Sequence, residues 1–213
     1  MKVVALSSGG VDSSVMMLLL RNENFHVFPL HINYGHRAEP MEWAACRRVC
    51  DFIGLQPDRI DLPGFNKIPS GLTNKTLDIV RDAFLPTRNL LFATVGAAFG
   101  FSNSINVVAL GLLSNAIFPD QTPMFVKKAQ ECIAESLGTN FRLLTPLLSM
   151  DKRDTLSLAR KYGLPLDLTY HCHMGGKEDC GKCISCKERL AAEASLREGP
   201  ARAIVQGPPH DRA

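Results

Sequence analysis

Hydrophobic and polar positions along this chain switch between the period of a strand and that of a helix. Lys2 to Leu6 is a short apolar run with two valines, which predicts a buried strand, and it gives way to Ser and Gly residues and then to a helical stretch over Ser13 to Arg21. His26 to His31 predicts a second strand, Glu39 to Gly54 a helix stopped by its terminal glycine, and Arg59 to Leu62 a third short strand. Helices over Asn89 to Phe101, Lys127 to Ser136 and Asp151 to Tyr162, the last capped by Asp151, alternate with strands at Asn106 to Gly111 and Phe141 to Leu144. Strands separated by helices predict an α/β fold with a doubly wound, mostly parallel sheet.

Two regions break the rhythm. Pro63 to Pro86 is long, irregular and rich in Thr, Asn, Gly and Pro, as functional or mobile loops often are. From Glu198 onward, three prolines and two glycines predict a frayed tail. The most apolar internal stretch, Leu90 to Leu113, contains Ser102, Asn103, Ser104 and Asn106 and reads as helix, turn and strand, not as a membrane span. The apolar start is interrupted by Ser7, Ser8 and Asp12 and lacks a small-residue cleavage pattern, so no secretory leader is expected.

Composition changes this picture little. With 213 residues, 46% of them hydrophobic and 21% charged, the chain can form one domain with a sizeable core. A net charge of +3, without a long Lys/Arg run or a basic-aromatic stripe, suits a small anionic substrate and gives no reason to expect nucleic acid. Four of the seven cysteines lie between Cys172 and Cys186, which predicts metal binding in a reducing, cytoplasmic compartment. Cys46 and Cys50, four apart on a predicted helix, are expected in the core.

The candidate chemistry sits in two motifs. Ser7-Ser8-Gly9-Gly10-Val11-Asp12-Ser13-Ser14 lies between a strand and a helix. Paired glycines let backbone amides approach an anion, the helix start favours negative charge, and Asp12 is suited to capping the helix or holding magnesium. The motif lacks the lysine of a Walker A loop and the spacing of a dinucleotide fingerprint. A Gly/Ser turn that only caps a helix is the plainer reading of the same residues. Cys172, Cys180, Cys183 and Cys186 follow the spacing C-x7-C-x2-C-x2-C, with Gly175, Gly176 and Gly181 as turns. Four converging thiolates suit a closed structural zinc site; an iron–sulfur cluster is the rival. His171 and His173 are read as imidazoles at the surface or behind the ligands.

Ser8-Gly9-Gly10-Val11-Asp12-Ser13 resembles the SGGxDS signature of the PP-loop ATP pyrophosphatases, an adenine-nucleotide alpha-hydrolase-like fold. Over residues 2 to 192 the chain is similar to the 7-cyano-7-deazaguanine synthases (QueC-like) within that class. The matches are Tyr34-Gly35-x-Arg37, Pro86-x-Arg88-Asn89, Phe118-Pro119-Asp120, Thr145-Pro146-Leu147 with Lys152, and Leu168-Thr169 before Cys172. The resemblance implies an ATP-binding body over 1–165, a zinc-binding segment over 166–195 packed on it, and a flexible tail over 196–213. It implies that Leu6, Ser7, Ser8, Gly9, Gly10, Val11, Asp12, Ser13 and Ser14, with Arg88 and Asn89, hold ATP. Asp12, Ser13, Arg88 and Lys152 would serve catalysis, and Tyr34, Arg37, Phe118 and Asp120 the substrate. The reaction it implies uses ATP and Mg2+ to adenylate 7-carboxy-7-deazaguanine; ammonia then gives the amide, and a second adenylation gives the nitrile. A homodimer is also implied.

The chain departs from that pattern where the substrate would bind. Thr87 stands where the family has glycine in PGRN. Leu113-Ser114-Asn115-Ala116-Ile117 replaces an Asn-Ala-x-Asp-Tyr-Ser-Gly-like stretch. Gln121-Thr122 follows the proline-aspartate in place of Cys-Arg, and Tyr170-His171 replaces an aromatic-Ser pair. Three alternatives therefore stand beside the main reading. They are a QueC-like enzyme of a defence operon that couples the adenylated acid to a protein amine, a PP-loop tRNA-modifying enzyme, and a non-enzymatic zinc-knuckle module.

Overall fold

The computed structural model describes residues 1–115 and 117–198. Its centre is a five-stranded sheet of β1 (Lys2–Leu6), β2 (His26–Asn33), β3 (Asp58–Asp61), β4 (Val107–Ala109) and β5 (Arg142–Leu144), in the order β3-β2-β1-β4-β5. Every neighbouring pair is parallel, with Val4 opposite Phe28 on one side and Val108 on the other. The chain builds outward from β1 to β3, then returns to the other side of β1 for β4 and β5. That reversal makes the sheet doubly wound and opens a crevice at the carboxyl ends of β1 and β4.

Successive strand side chains point to opposite faces, and here both faces are buried. Val3, Ala5, Val27, Val107 and Ala109 pack into one core with residues of α1 (Val11–Asn22), α2 (Glu39–Phe52) and α5 (Lys152–Lys161). Val4, Leu30, Ile32, Val108 and Leu110 enter the other core with residues of α3 (Arg88–Ser102) and α4 (Pro123–Leu137). The result is three layers, helix on sheet on helix. Cys46 and Cys50 lie in the first core with no exposed surface, as their spacing predicts.

The strands and the first five helices follow the predicted order, with shifted boundaries. Helix α4 begins at Pro123, four residues before the predicted start. The Thr122 hydroxyl accepts a hydrogen bond from the Phe125 amide at 3.1 Å, and proline suits the first turn. Asp151 caps α5 as expected, accepting from the Asp154 amide at 2.9 Å while Asp154 accepts from the Asp151 amide at 3.1 Å.

A sixth helix, α6 (Ile184–Glu198), was not predicted and packs on α5. Residues 196–198, expected in the tail, form its end; the rest of that expected tail, 199–213, lies outside the described residues. Leu90 to Leu113 divides into α3, a turn and β4. Among the described residues, no helix is long and apolar enough to cross a membrane.

Candidate active site

The loop after β1 is held by its own hydroxyls. Ser7 continues the β1–β2 pairing through its amide to Leu30 O at 2.9 Å. The Gly10 amide donates to Ser8 Oγ at 3.2 Å, and Ser8 Oγ lies 3.3 Å from Ser13 Oγ. Ser13 and Ser14 donate to Gly10 O at 3.1 and 2.8 Å. Because Gly10 is the N-cap of α1, the amides of Val11, Asp12 and Ser13 have no partners within the helix. Those three residues line a cavity of about 310 Å³ together with Leu6, Ser7 and Ser8. An anion there would meet free N–H groups and the positive end of a helix.

Gly9 is fixed by two demands. Its φ of 79° is in the left-handed region, and a side chain would collide with the backbone of Glu42 and Cys46 on α2. Its carbonyl accepts from the Tyr170 amide at 3.0 Å, which ties the loop to the cysteine-rich segment. Gly9 and Ser14 thus brace the loop from behind and do not line the cavity.

Asp12 does not cap its helix. Its carboxylate meets Lys152 Nζ at 2.5 Å and the Thr155 hydroxyl at 3.2 Å, so the first turns of α1 and α5 are bridged at the cavity edge. Glu188 of α6 lines the same region and accepts from Asn115 Nδ2 at 3.0 Å. Its carboxyl is pushed up by burial and by the Asp12 charge, against Lys152 and the Asn115 hydrogen bond.

The start of α3 supplies Arg88 and Asn89, both lining the cavity. Asn89 is buried; its amide donates to Asp120 Oδ2 at 3.1 Å and its side chain to Asp120 O at 3.0 Å. Asp120 therefore closes the open end of α3 and lies outside the cavity lining. Arg37 is also outside it. Its guanidinium donates to Gly71 O and meets Met174 Sδ, both at 3.1 Å, joining the 63–86 loop to the cysteine-rich segment. Tyr34, Phe92 and Phe118 give the cavity aromatic walls, with the Tyr34 and Phe92 rings 5.3 Å apart. Burial pushes the Tyr34 hydroxyl up to about 12, with Arg88 pulling against it. Tyr34 is thus neutral at physiological pH.

Several lining residues were not singled out from sequence: His31, His36, Glu42 and Glu188, with His173 read there as peripheral and Tyr170 named only as a departure from the family pattern. His31 Nδ1 lies 2.9 Å from Ser7 O, and Cys46 Sγ lies 3.3 Å from Ser7 Oγ. Burial lowers the His31 pKa, but the interactions with Cys46 and Ser7 outweigh it and raise the net value. Burial pushes His173 down to about 4, with Arg88, His36 and His171 adding to the effect against Glu42. Burial works to raise the Glu42 carboxyl, yet the imidazoles of His36, His173 and His31 hold it below its ordinary value.

The cysteine-rich segment covers one side of this cavity. The Sγ atoms of Cys172, Cys180, Cys183 and Cys186 all lie within 4.8 Å of one another. Amides of Cys180, Cys183 and Cys186 each donate to a preceding cysteine sulfur at 3.4 Å, so the turns are shaped by the sulfurs. Tyr170 and His173, on either side of Cys172, reach the cavity wall.

A family model described as queuosine biosynthesis protein QueC matches residues 2–196. A 7-cyano-7-deazaguanine synthase from Nautilia profundicola is 31% identical over 203 residues, covering 89% of this chain and 91% of that protein. One from Methanothermobacter thermautotrophicus is 28% identical, covering 90% and 94%. Among solved structures, the U34-tRNA thiolase NcsA from Methanococcus maripaludis with its [4Fe-4S] cluster has a TM-score of 0.55 at 17% identity, covering 97% of this chain and 76% of that one. That likeness shows a shared fold.

Thr87 marks the clearest local conflict. It precedes Arg88 at φ 61°, a left-handed conformation that a β-branched residue adopts at a cost of about 1–2 kcal/mol. Thr87→Gly is expected to raise stability in urea unfolding by about 1 kcal/mol, whereas Gly9→Ala is expected to lower it by more than about 2 kcal/mol. Equal effects of the two substitutions would contradict this account of the loop and the α3 start.

Proposed function

We propose, from the premise that the chain belongs to the QueC family, that it makes 7-cyano-7-deazaguanine from 7-carboxy-7-deazaguanine, ammonia and ATP. One observation carries this reading. The open amides of the loop, the Arg88 guanidinium and Lys152 line a single cavity walled by Tyr34, Phe92 and Phe118. Phosphate donors, a carboxylate partner and flat aromatic faces are what an acid-activating nucleotidyl transfer on a fused heterocycle requires.

In this scheme the pyrophosphate end of ATP rests on the amides of Val11, Asp12 and Ser13. Arg88 pairs with the substrate carboxylate and aims one oxygen at the α-phosphorus. That oxygen forms the new P–O bond as the bond to pyrophosphate breaks. Charge accumulates on the departing pyrophosphate, where the helix start, Ser8, Ser13 and Lys152 stabilise it. Lys152 would exchange Asp12 for phosphate, freeing the carboxylate. Asp12 and Glu188 are hard oxygen donors that fit magnesium, which when bound neutralises polyphosphate charge. Ammonia then displaces AMP to leave the amide, and adenylation of the amide oxygen prepares its loss as the nitrile.

The cysteine cluster fits one zinc ion. Sulfurs about 2.3 Å from a tetrahedral ion stand about 3.8 Å apart, close to the 3.9 Å between Cys180 and Cys186. Ligands to separate irons of a cluster would stand farther apart. Four thiolates leave no open coordination position, so zinc would hold Tyr170 and His173 against the cavity. The curated relatives' name favours neither protein-amine coupling nor tRNA modification, and we extend the proposal to a cytoplasmic homodimer on the family resemblance alone.

Purified protein given the acid, ammonium and Mg-ATP is expected to yield AMP, pyrophosphate and the nitrile by mass spectrometry. Lys152→Ala is expected to slow AMP release about 100-fold. Unchanged acid, or amide found only on a protein, would sink this reading. Metal analysis is expected to give one zinc and no iron per chain. Stripping it should lower the melting temperature and weaken ATP binding; intact ATP binding in the stripped protein would contradict the bracing role.

A further inference from the structure

Ammonia raises a chemical problem that the adenylating residues do not solve. At neutral pH it exists mainly as ammonium, which has no lone pair with which to attack. The site must attract a small cation and remove its proton.

Glu42 is placed for that task. It stands on α2, and its backbone carbonyl lies directly behind Gly9, so it is adjacent to the phosphate loop. Its side chain is 18% exposed and lines the cavity. Among the described residues, His36 Nε2 lies 3.0 Å from Glu42 Oε2, a contact that is an ion pair only when the imidazole is protonated. The His36 ring is stacked on Tyr34, with centroids 4.1 Å apart and planes 11° from parallel. Among the described residues, the charged and titratable groups facing Glu42 are His31 from β2, Tyr34 and His36 from the segment after it, and Tyr170 and His173 from the cysteine-rich segment. No lysine or arginine ion pair saturates the carboxylate among the described residues, and aromatic faces beside it favour a cation.

We infer that Glu42, relayed by His36, forms an ammonium subsite and is the proton acceptor of the amidation step; this rests on the function proposed above. In this scheme His36 enters as the neutral imidazole with its Nε2 lone pair facing Glu42 Oε2 at 3.0 Å, so the proton that Glu42 takes from ammonium passes on to that nitrogen. The freed lone pair forms the C–N bond at the acyl carbon, and the C–O bond to AMP breaks. A second N–H proton leaves the adduct by the same route. Acyl adenylate and ammonium thus become amide, AMP and two protons, which leave in turn through the cavity that Glu42 and His36 line. Only Glu42 and His36 carry protons in this scheme; His173 and Tyr170 serve as walls.

Two assays separate activation from amidation. Exchange of labelled pyrophosphate into ATP, dependent on the acid, reads adenylation alone. Amide formation against ammonium concentration and pH reads the later step. Glu42→Gln is expected to keep exchange within twofold of the natural protein. It should lower amide formation at pH 7 about 100-fold, with a raised KM for ammonium. Its rate should recover towards pH 9, where solution supplies free ammonia. His36→Gln is expected to keep exchange and lose about tenfold in amidation. Amidation by Glu42→Gln at the natural rate, or parallel loss of exchange and amidation, would overturn the assignment. If the natural protein itself shows no exchange with this acid, the parent function fails instead.

Discussion

Gly9 is clamped between two parts of the chain that are distant in sequence. On one side its backbone meets the backbone of α2 so closely that no side chain fits; on the other its carbonyl receives the Tyr170 amide. The first contact sets how near the loop lies to Glu42 and His36. The second sets how near it lies to the cysteine cluster. With the loop fixed there, the first turn of α1 leaves three amides facing the crevice at the sheet's reversal. The remaining cavity walls take their positions relative to that turn.

Charge is divided unevenly around the cavity. Lys152, Asp12 and Glu188 gather where α1, α5 and α6 meet, a place suited to a polyphosphate and its counter-ion. Glu42 and the imidazoles of His31, His36 and His173 gather against α2 and the cysteine-rich segment. Arg88, from the start of α3, lines the same cavity and acts on Tyr34 and His173. One cavity thus has chemically distinct ends, as the proposed use of phosphate, acid and amine requires.

Much of this was legible in the residue pattern. The strand, the Gly/Ser turn and the helix after it are a local signal, because backbone conformation and hydroxyl spacing are set within eight residues. The cysteine spacing is equally local. Asp151 was readable as a cap because its partner, Asp154, is three residues away. What could not be read depended on long-range contact. Asp120 matched a family segment, but its work on the Asn89 amide depends on the approach of a turn from 31 residues away. Glu42 and His36 resemble an ordinary helix-surface acid and a loop histidine until the fold buries them together. Helix α6 was hidden for another reason. Its alanines, glutamates and leucines carry a helical signal, yet Cys183 and Cys186 drew that stretch into a metal-binding segment. Thr87 is left-handed at the position where the resemblance places a glycine, so the backbone there suits glycine better than the residue present.

The central claim is that the substrate's own carboxylate attacks the α-phosphorus of ATP. Acid labelled with oxygen-18 in its carboxylate tests it directly, with AMP and pyrophosphate analysed by mass spectrometry after one turnover. The account predicts one labelled oxygen in AMP and none in pyrophosphate. Label absent from AMP, or release of ADP and orthophosphate, would contradict it.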